Sequence, residues 1–175
     1  KLAGKLAGRR KILFLDVSAS FRDSEYRNFE AVDIETFLNS RVDNRLLATV
    51  TEENAEEILD WLASLLPHTT LNMVLVIDEG NLFSTSHRIH PGLRKLIALG
   101  RHSRLDMIIT ARDPQELSPR IRSQADAIVC FRISRARELQ WCADENPEVA
   151  AELSSLPPRE FRVLSCTPSF TLPKV

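Results

Sequence analysis

One short run constrains the fold of this chain more than any other feature: Met73-Val74-Leu75-Val76-Ile77, followed at once by Asp78 and Glu79. The run is too short and too rich in β-branched residues for a helix, so it predicts a fully buried strand of a parallel sheet. In such sheets ligands bind outside the carboxyl ends of the strands, where these two acids fall. We expect Asp78 to hold a hydrated Mg²⁺ and Glu79 to orient a water molecule, as in hydrolysis of a nucleotide γ-phosphate. The alternative is a strand that merely ends in a charged turn.

Length and composition indicate a single α/β domain over residues 1–175. The chain is 43% hydrophobic and 27% charged, which suits one sizeable core. No apolar run approaches the roughly 20 residues that span a bilayer, and residues 1–5 lack the apolar region of a signal peptide. We therefore expect no membrane segment in this chain and a reducing, cytoplasmic setting.

The cysteines and histidines do not form a zinc signature. The three cysteines have no CxxC spacing, and the four histidines have no metal-binding spacing. We interpret Cys130, Cys142 and Cys166 as small core residues.

Charge is distributed unevenly along the chain. Residues 81–137 contain eleven Lys or Arg against four acids, a local charge of +7 within a chain whose net charge is −1. A basic segment attracts phosphates, whether of a nucleotide or of DNA. For any single arginine, a solvated surface position is the more frequent explanation.

Strand and helix patterns alternate along the chain. Strands are predicted over residues 11–16, 45–50, 73–77, 106–110, 127–131 and 160–165. Helices are predicted over residues 51–66, 91–100 and 134–156, the last broken at Asn146-Pro147, with one or two short helices in residues 18–44 and the end of another in residues 1–10. Such alternation indicates a mainly parallel sheet with helices on both faces.

An ordered series of motifs resembles the FtsK/HerA superfamily of P-loop ATPases. The series comprises Val-Leu-Val-Ile-Asp-Glu at 74–79, Gly-Arg-His at 100–102, the strand and loop 106–114, Ser-Gln-Ala-Asp at 123–126 and the strand 128–132. That superfamily includes DNA translocases, conjugation and viral genome-packaging motors, and Zot-like proteins of filamentous phages. The resemblance implies a RecA-like (ASCE) P-loop NTPase fold with ATP and Mg²⁺ as cofactors.

The resemblance also implies a role for individual residues. Asp78 matches the Walker B aspartate and Glu79 the catalytic glutamate. Arg101 matches an arginine finger that reaches the nucleotide of a neighbouring subunit. The family's next strand usually ends in Thr-Gln, whose Gln senses the γ-phosphate; here the pair is Ala111-Arg112, so Arg112 is the residue that would contact phosphate.

The P-loop motif GxxxxGK[ST] does not occur in this sequence, since Gly4-Lys5-Leu6 lacks both the hydroxyl and the earlier glycine. In the family the P-loop leads into a helix and then into a strand ending in Asp, which is the pattern predicted for residues 1–16. We therefore expect the P-loop and the strand before it to lie upstream of Lys1. That strand is central in the sheet, so its loss would leave buried neighbours unpaired.

Together these features predict an ATP-driven motor domain that acts on double-stranded DNA as a homo-oligomeric, hexameric ring. Viral genome packaging or phage morphogenesis fits the compact domain, with capsid or portal proteins as partners and the host cytoplasm or the virion as location. Arg88, Arg94 and Lys95 are the candidate DNA contacts in the pore. Two alternatives stay open: a Zot-like assembly or secretion ATPase, and a pseudo-ATPase that keeps the fold as an interaction module.

Overall fold

The computed structural model describes residues 8, 10–19, 21, 27–29, 34–40, 45–168, 170 and 171. The strands in this part of the chain are β1 (Lys11–Asp16), β2 (Arg27–Phe29), β3 (Arg45–Thr49), β4 (Met73–Ile77), β5 (Leu105–Ile109), β6 (Ala127–Phe131) and β7 (Phe161–Cys166). The α-helices are α1 (Ile34–Asn39), α2 (Glu52–Leu65), α3 (Pro91–Leu99), α4 (Pro119–Gln124), α5 (Ala136–Glu145) and α6 (Pro147–Leu153). Two 3₁₀ turns lie between β4 and β5: Gly80–Leu82 follows β4, and Gly100–Ser103 precedes β5.

A five-stranded parallel sheet, in the order β2-β3-β1-β4-β5, forms the centre of the fold. This confirms the predicted α/β architecture with a mainly parallel sheet. Leu13 of β1 lies opposite Leu46 of β3 on one side and Leu75 of β4 on the other. Because the strands are parallel, the carboxyl ends of β1, β4 and β5 meet at one edge of the sheet.

Both faces of the sheet are buried at β4, which explains why its sequence shows no polar alternation. Met73, Leu75 and Ile77 belong to the main core, together with residues of α2 and α3 such as Leu59 and Leu93. Val74 and Val76 belong to a smaller cluster, which includes Ile12 of β1. Each residue of β4 is buried.

The end of the chain forms a second packing unit. β6 pairs antiparallel with β7 in a separate two-stranded sheet, and does not pair with the five-stranded one. Its core contains Cys130 and Cys142, with Leu153 and Leu164. Among the described strands, β5 has no partner on its outer side, although its residues Met107–Ile109 are apolar and half-buried.

Most of the predicted elements are confirmed, and two short ones were missed. Thr51 caps α2, and Asn146 separates α5 from α6 by accepting a hydrogen bond from the Val149 amide at 3.2 Å. Within residues 18–44 the sequence predicts only helices, but β2 also lies there because it pairs with β3 in the folded sheet. The other missed element is α4, which Ser118 caps. The helix end predicted over residues 1–10 lies almost wholly outside the described residues.

The cysteine prediction holds for two of the three residues. Cys130 and Cys142 are buried, whereas Cys166 is exposed near the end of β7. Burial raises the pKa of the Cys130 thiol to about 12, so this thiol stays protonated and unreactive at neutral pH.

None of the helices in the described part of the chain is long and apolar enough to cross a bilayer.

Close contact between α2 and α3 gives a test of the core. A Cβ atom on Gly92 would lie 2.5 Å from Oδ1 of Asp60 and 2.8 Å from both the Asp60 amide nitrogen and the Leu59 carbonyl carbon. Gly92→Ala should therefore lower the free energy of unfolding by about 1–3 kcal/mol, because the α2 backbone would have to shift. Chemical denaturation measures the change, and Ala98→Ser on the exposed side of α3 is the control. An unchanged midpoint in Gly92→Ala would show that the helices are less tightly packed.

Candidate functional site

Asp78 lies directly after β4, and hydroxyl groups from two other strand ends hold its carboxylate. Thr110, which follows β5, donates from Oγ1 to Oδ1 of Asp78 at 2.6 Å. Ser18, just after β1, lies with its Oγ 3.0 Å from Oδ2 of the same carboxylate. The side chain of Asp78 is thus fixed at both oxygens at the edge where the carboxyl ends of the strands meet.

A second carboxylate, Asp16, is linked to Asp78 through Ser18. Asp16 ends β1 and is fully buried, and its Oδ2 accepts a hydrogen bond from the Phe21 amide at 2.9 Å. Ser18 Oγ is 3.1 Å from Oδ1 of Asp16 as well as 3.0 Å from Asp78. A serine hydroxyl has one proton, so it has to share that proton between two carboxylate oxygens. The carboxylates of Asp16 and Asp78 therefore both lie within hydrogen-bonding distance of one hydroxyl.

Glu79 has a left-handed backbone, with φ 56° and ψ 49°, which turns the chain sharply after β4. Thr110 anchors the turn, because its Oγ1 accepts from the Glu79 amide at 3.3 Å and its carbonyl accepts from the Gly80 amide at 2.7 Å. A Cβ atom on Gly80 would lie 2.2 Å from Cγ2 of Ile109. Only glycine at position 80 lets the turn approach β5 this closely.

Arg112 lies next to Glu79 and forms an ion pair with it. Its Nε donates to Oε1 of Glu79 at 2.8 Å, and its Nη2 lies 2.7 Å from the same oxygen. The Glu79 side chain is 16% exposed and the Arg112 side chain 78% exposed. The structure thus brings together three of the predicted site residues, Asp78, Glu79 and Arg112.

The oxygen groups at this edge fit a hydrated magnesium ion. Mg²⁺ prefers oxygen ligands, keeps several waters and is usually bound through one or two carboxylates together with substrate phosphates. Asp78 presents a carboxylate that two hydroxyls orient, and Asp16 lies behind it. Among the described residues, no group of three or more His, Cys, Asp or Glu is placed to form a metal cage. The arrangement fits an ion that substrate oxygens help to hold.

Arg101 lies at the opposite end of β5 from Asp78 and Glu79. It is in the 3₁₀ turn before β5, and a five-residue strand is about 16 Å long. Its side chain is 81% exposed, and Nη2 lies 3.8 Å from Oδ1 of Asp126. The structure therefore does not bring Arg101 together with Asp78 and Glu79.

The candidate DNA contacts all lie on the surface. Arg88 ends a tight turn closed by the Ser84–Ile89 bridge, with its carbonyl accepting from the Thr85 amide at 2.7 Å, and Arg94 and Lys95 are exposed on α3. None of the three side chains has an ion-pair partner within the described ranges, so their charges are available to a ligand.

Sequence reasoning found the acids but missed the groups that orient them. Ser18 and Thr110 each lie just after an apolar strand. A hydroxyl side chain at such a position is the sequence signal that could have identified them. The need for glycine at position 80 could not be predicted from the sequence, because it depends on the distance between the turn and β5.

Comparisons with known proteins support the fold. The genome-packaging NTPase B204 of Sulfolobus turreted icosahedral virus 2, in complex with sulfate, matches with a TM-score of 0.69 at 20% identity, over 95% of this chain and 80% of that chain. The same protein with ATP-gammaS matches with a TM-score of 0.67 at 20% identity, over 91% and 78% of the two chains. The DNA-packaging ATPase B204 of Sulfolobus turreted icosahedral virus matches with a TM-score of 0.66 at 17% identity, over 92% and 85%.

A weaker match is the N-terminal domain of zonular occludens toxin from Neisseria meningitidis, with a TM-score of 0.44 at 14% identity over 99% of this chain and 81% of that chain. At that TM-score the match supports no conclusion. No protein-family model and no curated protein sequence matches this chain. The matches to B204 confirm the predicted fold: the chain has the α/β fold of a P-loop NTPase.

Proposed function

We propose that this chain is the ATPase domain of an FtsK/HerA-type motor that translocates DNA during viral genome packaging. The observation that carries the proposal is the pair Asp78-Glu79 at the carboxyl end of β4, held by Thr110 within a P-loop NTPase fold. The structural neighbours with this fold include viral packaging NTPases whose structures contain ATP analogues. Such a motor would act in the host cytoplasm or at the virion.

In this proposal Asp78 holds the hydrated Mg²⁺, and Glu79 accepts a hydrogen bond from the water that attacks the γ-phosphate. A bound Mg²⁺ would neutralise negative charge on the phosphates. Thr110 keeps the two acids in position through its hydroxyl and its carbonyl. Arg112 is the remaining charged group beside Glu79 and would contact phosphate, in place of the family's sensor Gln.

The proposal requires a phosphate-binding loop, and the motif GxxxxGK[ST] does not occur in residues 1–175. Among the described strands none pairs with the outer side of β5, whose half-buried apolar residues suit a further strand. The alternative, a pseudo-ATPase, would keep the fold without binding nucleotide. Nucleotide binding by the full-length protein distinguishes the two.

Glu79→Gln, in the full-length protein, should retain nucleotide binding and reduce ATP hydrolysis by at least about 100-fold. The substitution removes the group that orients water but leaves Asp78 to bind Mg²⁺. Steady-state phosphate release and equilibrium binding of an ATP analogue measure the two effects. Glu116→Gln, at an exposed glutamate, is the matched control. Turnover close to wild type in Glu79→Gln would disprove the assignment.

DNA binding by the assembled protein should be independent of sequence and should weaken steeply with salt. Each phosphate contact contributes a slope of roughly 0.9 in the logarithmic salt dependence, so replacing Arg88, Arg94 and Lys95 by Ala should lower the slope by up to about 3. Fluorescence anisotropy with duplex DNA at several salt concentrations measures the slope, and Arg132→Ala is the control. Failure of the assembled ring to bind DNA would favour the Zot-like alternative, in which protein or virion components are moved.

Arg101 should act in trans, on the nucleotide of the neighbouring subunit. Its distance from Glu79 of its own subunit is consistent with this, and a finger contributes only when charge develops on the neighbour's phosphate. Arg101→Ala should keep ATP affinity and lose ring-dependent hydrolysis. Mixed rings of Arg101→Ala and Glu79→Gln subunits should regain activity, because some interfaces then contain both intact residues.

The ion pair with Asp126 provides the control for this experiment. If Arg101 served only to hold Asp126, then Asp126→Asn would reproduce the loss of hydrolysis, and mixed rings would stay inactive despite confirmed co-assembly. Either result would contradict a role in trans.

A further inference from the structure

We propose that Arg112 is a two-position switch: it holds the Glu79 carboxylate when no nucleotide is bound, and moves to the γ-phosphate when a nucleoside triphosphate binds. This inference rests on the proposed function, and it adds a regulatory step to the same site. Hydrolysis would then be coupled to occupancy, because both oxygens of Glu79 are free of Arg112 only when a triphosphate binds.

The ion pair engages one of the two oxygens of the Glu79 carboxylate. Both donors of Arg112, Nε at 2.8 Å and Nη2 at 2.7 Å, point at Oε1 of Glu79. An oxygen that already accepts two charged hydrogen bonds is a poor acceptor for a third. In this position Arg112, and not a water molecule, sets the orientation of the Glu79 carboxylate.

The two partners of the ion pair differ in exposure. The backbone at Glu79 is held because the Glu79 and Gly80 amides both bond to Thr110, and the Glu79 side chain is largely covered. The Arg112 side chain is 78% exposed and makes no other hydrogen bond or ion pair within the described part of the chain. Because the guanidinium partner is open to solvent, the ion pair is weak, and a stronger acceptor nearby can displace Glu79 from Arg112.

A terminal phosphate is such an acceptor. Guanidinium groups bind phosphate through two parallel hydrogen bonds, and a triphosphate carries more charge than a diphosphate at the position where the γ-phosphate lies. Arg112 is two residues from Thr110, whose hydroxyl contacts Asp78, so its attachment point lies beside the proposed Mg²⁺ ligand. A ligand shifts a two-state equilibrium only by its differential affinity for the two states, and here the γ-phosphate supplies that difference.

Equilibrium binding of AMPPCP and of ADP to the full-length protein tests the switch. The quantity measured is the ratio of the two affinities, in wild type, Arg112→Gln, Glu79→Gln and the double variant. Arg112→Gln should lower the preference for AMPPCP, since the guanidinium contact is lost. Glu79→Gln should raise it by about two- to fivefold, the range expected when a weak exposed ion pair no longer has to break.

The double variant separates the switch from a simple charge effect. Glu79→Gln removes a negative charge near the phosphates whether or not Arg112 moves. In the Arg112→Gln background the same substitution should therefore raise the preference by clearly less than in the wild-type background. Equal changes in both backgrounds would overturn the switch. Arg120→Gln, at an exposed arginine of α4, is the matched control.

A nuclear magnetic resonance measurement reports on Arg112 without any turnover. With ¹⁵N-arginine labelling, the Arg112 Nε–H signal should shift when Glu79→Gln is introduced in nucleotide-free protein, and should shift again when AMPPCP, but not ADP, is added to wild type. A signal that AMPPCP leaves unchanged would overturn the switch while the ATPase proposal stands. If neither AMPPCP nor ADP binds to any variant, the proposed function and the switch both fail.

Discussion

The candidate site depends on the junction between the ends of β4 and β5, which Thr110 forms. Its hydroxyl donates to Asp78 and accepts from the Glu79 amide, while its carbonyl accepts from the Gly80 amide. Three consecutive residues of one strand end are thus fixed by a single residue of the next. The parallel pairing of Ile77 with Ile109 sets this alignment. A shift of the register by one residue would turn every side chain of β5 to the other face, and Thr110 would no longer contact Asp78 and Glu79.

The sequence was sufficient to predict elements that are specified locally. The buried strand Met73–Ile77 and the helix Glu52–Leu65 have strong local patterns, and the structure confirms both. The acids were predictable because they directly follow an apolar run. β2 was missed, since three residues contain no pattern and only pairing with β3 makes them a strand. The ion pair between Glu79 and Arg112 could not be predicted from the sequence either, because it joins residues 33 positions apart.

The two packing units differ in what their sequences could reveal. Residues 127–131 have the apolar pattern of a buried strand, and the structure confirms a strand there. It pairs antiparallel with β7, and Phe131 at the end of β6 is 58% exposed. Short apolar runs indicate a strand but not its partner or its direction. The cysteines behave similarly: composition favours burial, yet Cys166 is exposed because it lies at the last position of β7.

The left-handed backbone of Glu79 implies a conflict between the stability of the fold and the proposed activity. For a residue with a Cβ atom this conformation costs roughly 1–2 kcal/mol, a cost that glycine would avoid. Selection for stability alone would therefore favour glycine at this position. Glutamate at this position thus costs stability, and under the proposed function the carboxylate that it supplies is what offsets that cost.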